Sequence, residues 1–155
     1  MQTPVGTTAA PASKGTSKSA LLGDLLGLFL RVPERRQWRV MEIRQHVMPA
    51  IQNGQLRIYY EDRLAVGYIS WAILSPTVEA RYSHGDYPLA AEDWKSGSQP
   101  WIIDLLCPVG GARRILRQFR TRPPFEGTVV KSLRPRHGHA GYRTVTFALQ
   151  PPVIL

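Results

Sequence analysis

Asp104 is the lone carboxylate in an apolar run, Trp-Ile-Ile-Asp-Leu-Leu-Cys at 101–107. A carboxylate in a segment of strand length is a group that burial can tune for proton transfer or for holding a cation. Just downstream, Pro108 and the pair Gly110-Gly111 lead into a helical pattern in which Ile115, Leu116 and Phe119 make an apolar stripe among arginines. The order is strand, glycine turn, helix. It leaves backbone N–H groups at the helix start facing the turn, where an anionic ligand can accept them. The same residues also fit a strand-end aspartate satisfied by local backbone donors beside a plain turn, so the residues alone leave both readings open. Cys107 is a poor nucleophile candidate, because a thiol in an apolar run is usually inert. His137 and His139 flank a glycine, but no third ligand follows at metal-binding spacing, so no metal is expected.

Charge narrows the partners. The net charge is +9, and from Gly110 onward Arg113, Arg114, Arg117, Arg120, Arg122, Lys131, Arg134, Arg136 and Arg143 face one acid, Glu126. Such a surface attracts an acidic protein, nucleic acid or anionic lipid. Nucleic acid is not the expected partner, since no recognition motif is present and the aromatics lie in strand patterns instead of among the arginines. The stretch Leu21 to Leu30 is too short and too interrupted, at Asp24, to span a bilayer. A single cysteine forms no internal disulfide, in keeping with a cytoplasmic setting.

The elements that must position these groups follow from periodicity. Residues 1–18 are rich in Thr, Ala, Pro, Ser and Gly and are expected to be a disordered tail, with one domain over 19–155. A first helix is predicted from a cap at Ser19 to about Arg31, where Val32-Pro33 breaks it. A second runs from about Gln37 to Ile51, kinked or ended by Pro49 and stopped at Asn53-Gly54. Period two then gives a hairpin, Gln55–Glu61 and Ala65–Ile73, turning at Asp62-Arg63. Two loop or short-helix segments, Ser75–Gly85 and Pro88–Pro100, precede the Trp101 strand. After the arginine helix come strands at Gly127–Leu133 and Tyr142–Leu149. These compose a single α+β domain, a mixed central sheet flanked by helices.

With the elements placed, several strings resemble the RTX toxin-activating lysine acyltransferases of the hemolysin C type. They are Ala91-Glu-Asp-Trp94-Lys-Ser-Gly97 followed by Trp101-Ile-Ile-Asp104 and Pro108, Val47-Met-Pro49-Ala-Ile51 with Gln55, Gly67-Tyr68-Ile-Ser70-Trp71-Ala72, and Pro33 with Arg36 and Trp38. They run in family order from about Leu25 to Phe147. The resemblance implies an N-acetyltransferase-like (GNAT-like) fold and a fatty acyl group taken from acyl-carrier protein, with no bound cofactor. It also implies an amide formed on an internal lysine of a protein toxin. Asp104 falls on the family's functional aspartate, and the arginine helix with Gly110, Gly111, Arg113 and Arg114 would meet the acidic carrier and its phosphopantetheine arm. Ser70 and Trp71 would line the substrate site, and a homodimer is left open.

The chain departs from the family at one place. Where the family carries a serine before the proline and a histidine before the arginine, this sequence has Val32 and Arg35, and an arginine cannot be a general base near neutral pH. His46 stands where the family tends to have asparagine. If one helix runs from Arg35 to His46, about three turns, the two side chains share a face and His46 is placed to serve as the base beside Asp104. Arg35 would then bind phosphate or clamp Asp104. The competing expectation is a degenerate member that keeps the fold and carrier binding without turnover.

Overall fold

The structure is a computed structural model that describes residues 10–11 and 16–150. In chain order it holds β1 (Ala10–Pro11), α1 (Lys18–Phe29), α2 (Pro33–Arg36), α3 (Val40–His46), α4 (Met48–Asn53), β2 (Leu56–Glu61), β3 (Leu64–Leu74) and α5 (Pro76–Tyr82). A 3-10 turn (Ala91–Trp94), β4 (Gln99–Leu106), α6 (Ala112–Thr121), β5 (Val129–Pro135) and β6 (Tyr142–Ala148) complete it. The tail expected over 1–18 lies mostly outside the described residues; within it, Ala10–Pro11 pairs with β2. Ser17, not Ser19, caps α1, its hydroxyl accepting from the Ala20 N–H at 3.1 Å.

The single helix expected over 37–51 is two helices, and Arg35 belongs to a third. Pro33 sits in the first turn of α2, which ends after one turn. The chain restarts α3 from Arg39, whose N–H donates to Glu42 at 2.6 Å. A continuous helix through Pro49 would set its ring against the carbonyl of residue 45, so α4 begins afresh with Pro49 in its first turn. Helical phase therefore does not relate Arg35 to His46.

The strand pattern reads as expected. Asp62 and Arg63 take positive φ values of 48° and 65° in the tight turn between β2 and β3. The sheet runs β1-β2-β3-β4-β5-β6, antiparallel throughout except for β4 and β5. Parallel neighbours need a crossover, and α6 supplies it. One face of the sheet carries the core built by α1, α4 and α5, with Leu25, Leu28, Ile51, Tyr68, Ala72, Leu74 and Trp101. The other carries Ile115 and Phe119 of α6 over Ile69, Trp71, Ile102 and Val130. That helix sits very close at Gly67, where a Cβ would lie 2.5 Å from Ile115 Cδ1 and 2.9 Å from the Leu106 carbonyl.

Two irregularities shape the sheet where the functional groups lie. Ser70 pairs with Asp104 and Trp71 with Ile102, so Ile103 is an extra residue, a β-bulge. The bulge turns two consecutive side chains to the same face: Ile103 packs with the Trp101 cluster and Asp104 reaches Tyr68, while Leu105 returns to the α6 side. The second is the brevity of the parallel pairing, which covers only Trp101 with Lys131 and Ile102 with Ser132. Glu79 of α5 pins that short joint, accepting from Trp101 Nε1 at 2.6 Å and from Lys131 Nζ at 3.1 Å. Past it the strands share no further ladder.

Candidate active site

Asp104 is held from two sides. Arg35 Nη1 donates to its Oδ2 at 2.7 Å and Arg35 Nη2 to its Oδ1 at 2.9 Å, a fork-on-fork pair. The Tyr68 hydroxyl donates to the same Oδ2. The pair is mostly withdrawn from water, with side chains 17% and 19% exposed. Burial would pull the Arg35 guanidinium down, but the hydrogen bonds and charge of Asp104 more than reverse this and hold it above its ordinary value. The Tyr68 phenol is pushed well up, first by burial and then by the carboxylate it faces. Arg35 is thus a permanent cation and Tyr68 a permanent donor.

Arg35 also stacks on aromatic rings, its Cζ lying 4.2 Å from the Trp38 ring centroid and 5.4 Å from that of Phe29. Against the same indole lies His46, the ring centroids 5.5 Å apart and tilted by 43°. His46 is exposed and borders a cleft of about 470 Å³ whose other walls include Tyr82, Leu89, Trp94, Ile103, Leu133 and Tyr142. Ile103 and Leu133 are the first residues beyond the paired part of β4 and β5. The cleft therefore opens where these two strands part. The imidazole is held below its ordinary value, chiefly by partial burial; Asp104 opposes this and Arg35 reinforces it. It is a neutral base at pH 7. Tyr82 is pushed up to about 12, by burial first and then by Asp104 and Tyr142.

The expected residues separate into groups. Asp104, Arg35, His46 and Ser70 share the face covered by α1 to α5. Ser70 is 1% exposed, and its hydroxyl has no hydrogen-bond partner among the described residues. Trp71, expected in the site, lies on the opposite face against Phe119 and Phe125, because alternation along β3 turns it away from its neighbour Ser70. Gly110 and Gly111 carry φ values of 84° and 94°, conformations that favour glycine, and no side chain caps α6. Arg113 is exposed there, while Arg114 is drawn to Glu61 at 2.6 Å. Sequence reasoning missed Tyr68 as a partner of Asp104. Its place two residues before Ser70 on one strand face was the available signal. Among the described residues no group of three or more His, Cys, Asp or Glu is placed to hold a metal ion, and no helix is long and apolar enough to cross a membrane.

Residues 14–148 match the RTX toxin acyltransferase family (HlyC). The RTX-II toxin-activating lysine-acyltransferase ApxIIC of Actinobacillus pleuropneumoniae is 34% identical over 106 residues, covering 68% of this chain and 66% of that protein. The protein-lysine myristoyltransferase HlyC of Escherichia coli is 36% identical over 106 residues, covering 68% and 62%. The chain thus spans slightly less than two thirds of the length of these two relatives. Among solved structures, the loading GNATL domain of CurA from Lyngbya majuscula superposes with a TM-score of 0.54 at 18% identity, over 84% of this chain and 67% of that one. The fold is GNAT-like.

Proposed function

The chain belongs to the RTX toxin acyltransferase family, and we propose on that footing that it moves a fatty acyl group from acyl-carrier protein to an internal lysine of a protein toxin. The observation that carries the reading is the position of His46, a neutral imidazole bordering a largely apolar cleft at the parting of β4 and β5. In this reaction His46 takes a proton from the lysine ammonium, and the free Nζ attacks the thioester carbonyl. The C–N bond forms as the C–S bond breaks, the proton held by His46 passes to the departing thiolate, and the second proton of the attacking nitrogen is lost to water. The products are an acyl-lysine amide and the free thiol of the carrier.

Asp104 does not act as the base. Its oxygens are engaged by Arg35 and Tyr68, and its charge favours the imidazolium that forms in the transition state. The acyl chain has the apolar walls of the cleft, Leu89, Ile103 and Leu133. The uncapped start of α6 with Gly110, Gly111 and Arg113 suits the phosphate of the carrier's arm, and the exposed arginines suit the acidic carrier. This reading puts the protein in the cytoplasm, with acyl-carrier protein and a toxin as partners.

A second reading is favoured by the Arg35–Asp104 pair itself. With the family's histidine replaced by an arginine that occupies the aspartate, the protein would bind carrier and toxin without turnover. Incubation with acyl-carrier protein charged with labelled fatty acid and a candidate toxin separates the two. Label on a toxin lysine that disappears in Asp104→Ala and His46→Gln supports transfer. Carrier binding without label on the toxin supports the second reading.

A further inference from the structure

His46 lacks the hydrogen bond that usually orients a catalytic imidazole: neither ring nitrogen has a partner among the described residues. Nor does its helix fix it, since no residue of α3 is buried. Among the described residues its one ring contact is with Trp38, and Trp38 in turn carries Arg35 on its ring and Phe29 at 5.5 Å. Phe29 reaches Tyr68 at 5.8 Å, and Tyr68 returns to Asp104. Carboxylate, guanidinium, indole and imidazole form a chain of contacts across α2, α3 and β4, with no covalent or helical continuity between its ends.

We propose that Trp38 is a positioning residue which ties His46 to the closed Arg35–Asp104 pair, so that the imidazole is presented to the cleft only while that pair is intact. The proposal rests on the reading of His46 as the base, but the position of the ring can be tested apart from it. An indole already stacked against one fixed cation favours a neutral neighbour, because Arg35 repels a second positive charge nearby. The groups that set the imidazole's charge are Arg35 from α2, Glu42 from its own helix and Asp104 from β4. Tyr82, Asp86, Tyr87 and Tyr142 line the rest of the cleft around it. Trp38 contributes no charge. It covers one side of the imidazole and keeps it within the field of the pair.

The test is the His46 ring titration followed by NMR in wild type, Trp38→Leu and Trp38→Phe, with the signal assigned through His46→Gln. Trp38→Leu is expected to return the imidazole toward the ordinary histidine value of about 6.5 as water reaches it. It is also expected to lower kcat by about tenfold to a hundredfold, the scale of a misplaced catalytic group, with KM for the acyl donor little changed. Trp38→Phe keeps a ring and should keep most of both properties. Asp104→Asn, which loosens Arg35 but leaves the indole, should move the same titration. If it titrates as wild type in folded Trp38→Leu protein, the proposal is overturned whatever the activity. Should Trp38→Leu fail to fold, Trp38→Met takes its place, an unchanged titration overturning the proposal and a shift toward the ordinary histidine value supporting it. Absence of transfer in wild type with an intact titration response would instead count against the acyltransferase reading alone.

Discussion

Arg35 and Asp104 lie in different layers of the molecule and are joined by two parallel hydrogen bonds of 2.7 and 2.9 Å. A lysine ammonium is a point charge and cannot reproduce that fork. Arg35→Lys is therefore expected to cost about 1.5–3 kcal/mol, the range for a hydrogen bond to a charged group. Thermal unfolding should record the loss, and acyl transfer should fall with it. Arg35→Lys with unaltered stability would mean that the fork contributes no more than a single charge contact.

Acid should act on the site through His46. Its folded imidazole is held below the ordinary value while the unfolded chain's is not, so over the interval between the two the unfolded state binds more protons. Stability conferred by the neutral ring is present above about pH 6.5 and is lost as the pH falls through that interval. Transfer should be flat at neutral pH and decline on an acid limb lying below the usual histidine range. His46→Gln should remove the limb along with most of the rate, which a pH profile of kcat checks.

Glu79 joins α5 to both strands of the short parallel pair. Glu79→Ala leaves the Trp101 indole N–H and Lys131 without their acceptor. An orphaned, largely buried donor costs about 1–3 kcal/mol. Hydrogen exchange should quicken first at Trp101–Ile102 and Lys131–Ser132, since no other ladder holds β4 to β5.

Gly67→Val should be more disruptive than Gly67→Ala. The first added carbon already falls 2.9 Å from the Leu106 carbonyl, which cannot rotate aside as the Ile115 side chain can. Overpacking of this kind costs about 1–3 kcal/mol. Denaturant unfolding of the two variants should rank them in that order.

Charge reversal on the exposed face of α6, Arg113→Glu with Arg117→Glu, should raise KM for the acyl-carrier donor with little effect on kcat. The effect should shrink as salt is added, because exposed charges act through a screened field. Kinetics at low and physiological ionic strength make the comparison.

Much of the scaffold was legible because it is local. Alternation marked β2 and β3, glycine and proline marked the ends of α4 and the start of α6, and the lone carboxylate of an apolar run drew attention to Asp104. What escaped the reading depends on contacts between distant segments. Arg35 and His46 stand about three helical turns apart, which would give them a common face only in one continuous helix; the chain breaks between Arg36 and Val40, and they are related through the Trp38 ring and not through helical phase. Trp71 was assigned to the site along with Ser70, although neighbours on a strand face opposite ways. Alternation along β3 marked Tyr68 as sharing a face with Ser70, but its partnership with Asp104 needed the register of β3 against β4.

The extra residue at Ile103 makes the placement of Asp104 a matter of counting. Regular pairing of the same residues without the bulge would put Ile103 opposite Ser70 and Asp104 opposite Ile69, out of reach of Arg35 and in the oily layer beneath α6, whereas deleting Ile103 removes the bulge and leaves Asp104 opposite Ser70. A library that varies the strand's length should therefore keep the Arg35–Asp104 contact when Ile103 is removed and lose it when the change shifts Asp104 out of register with Ser70.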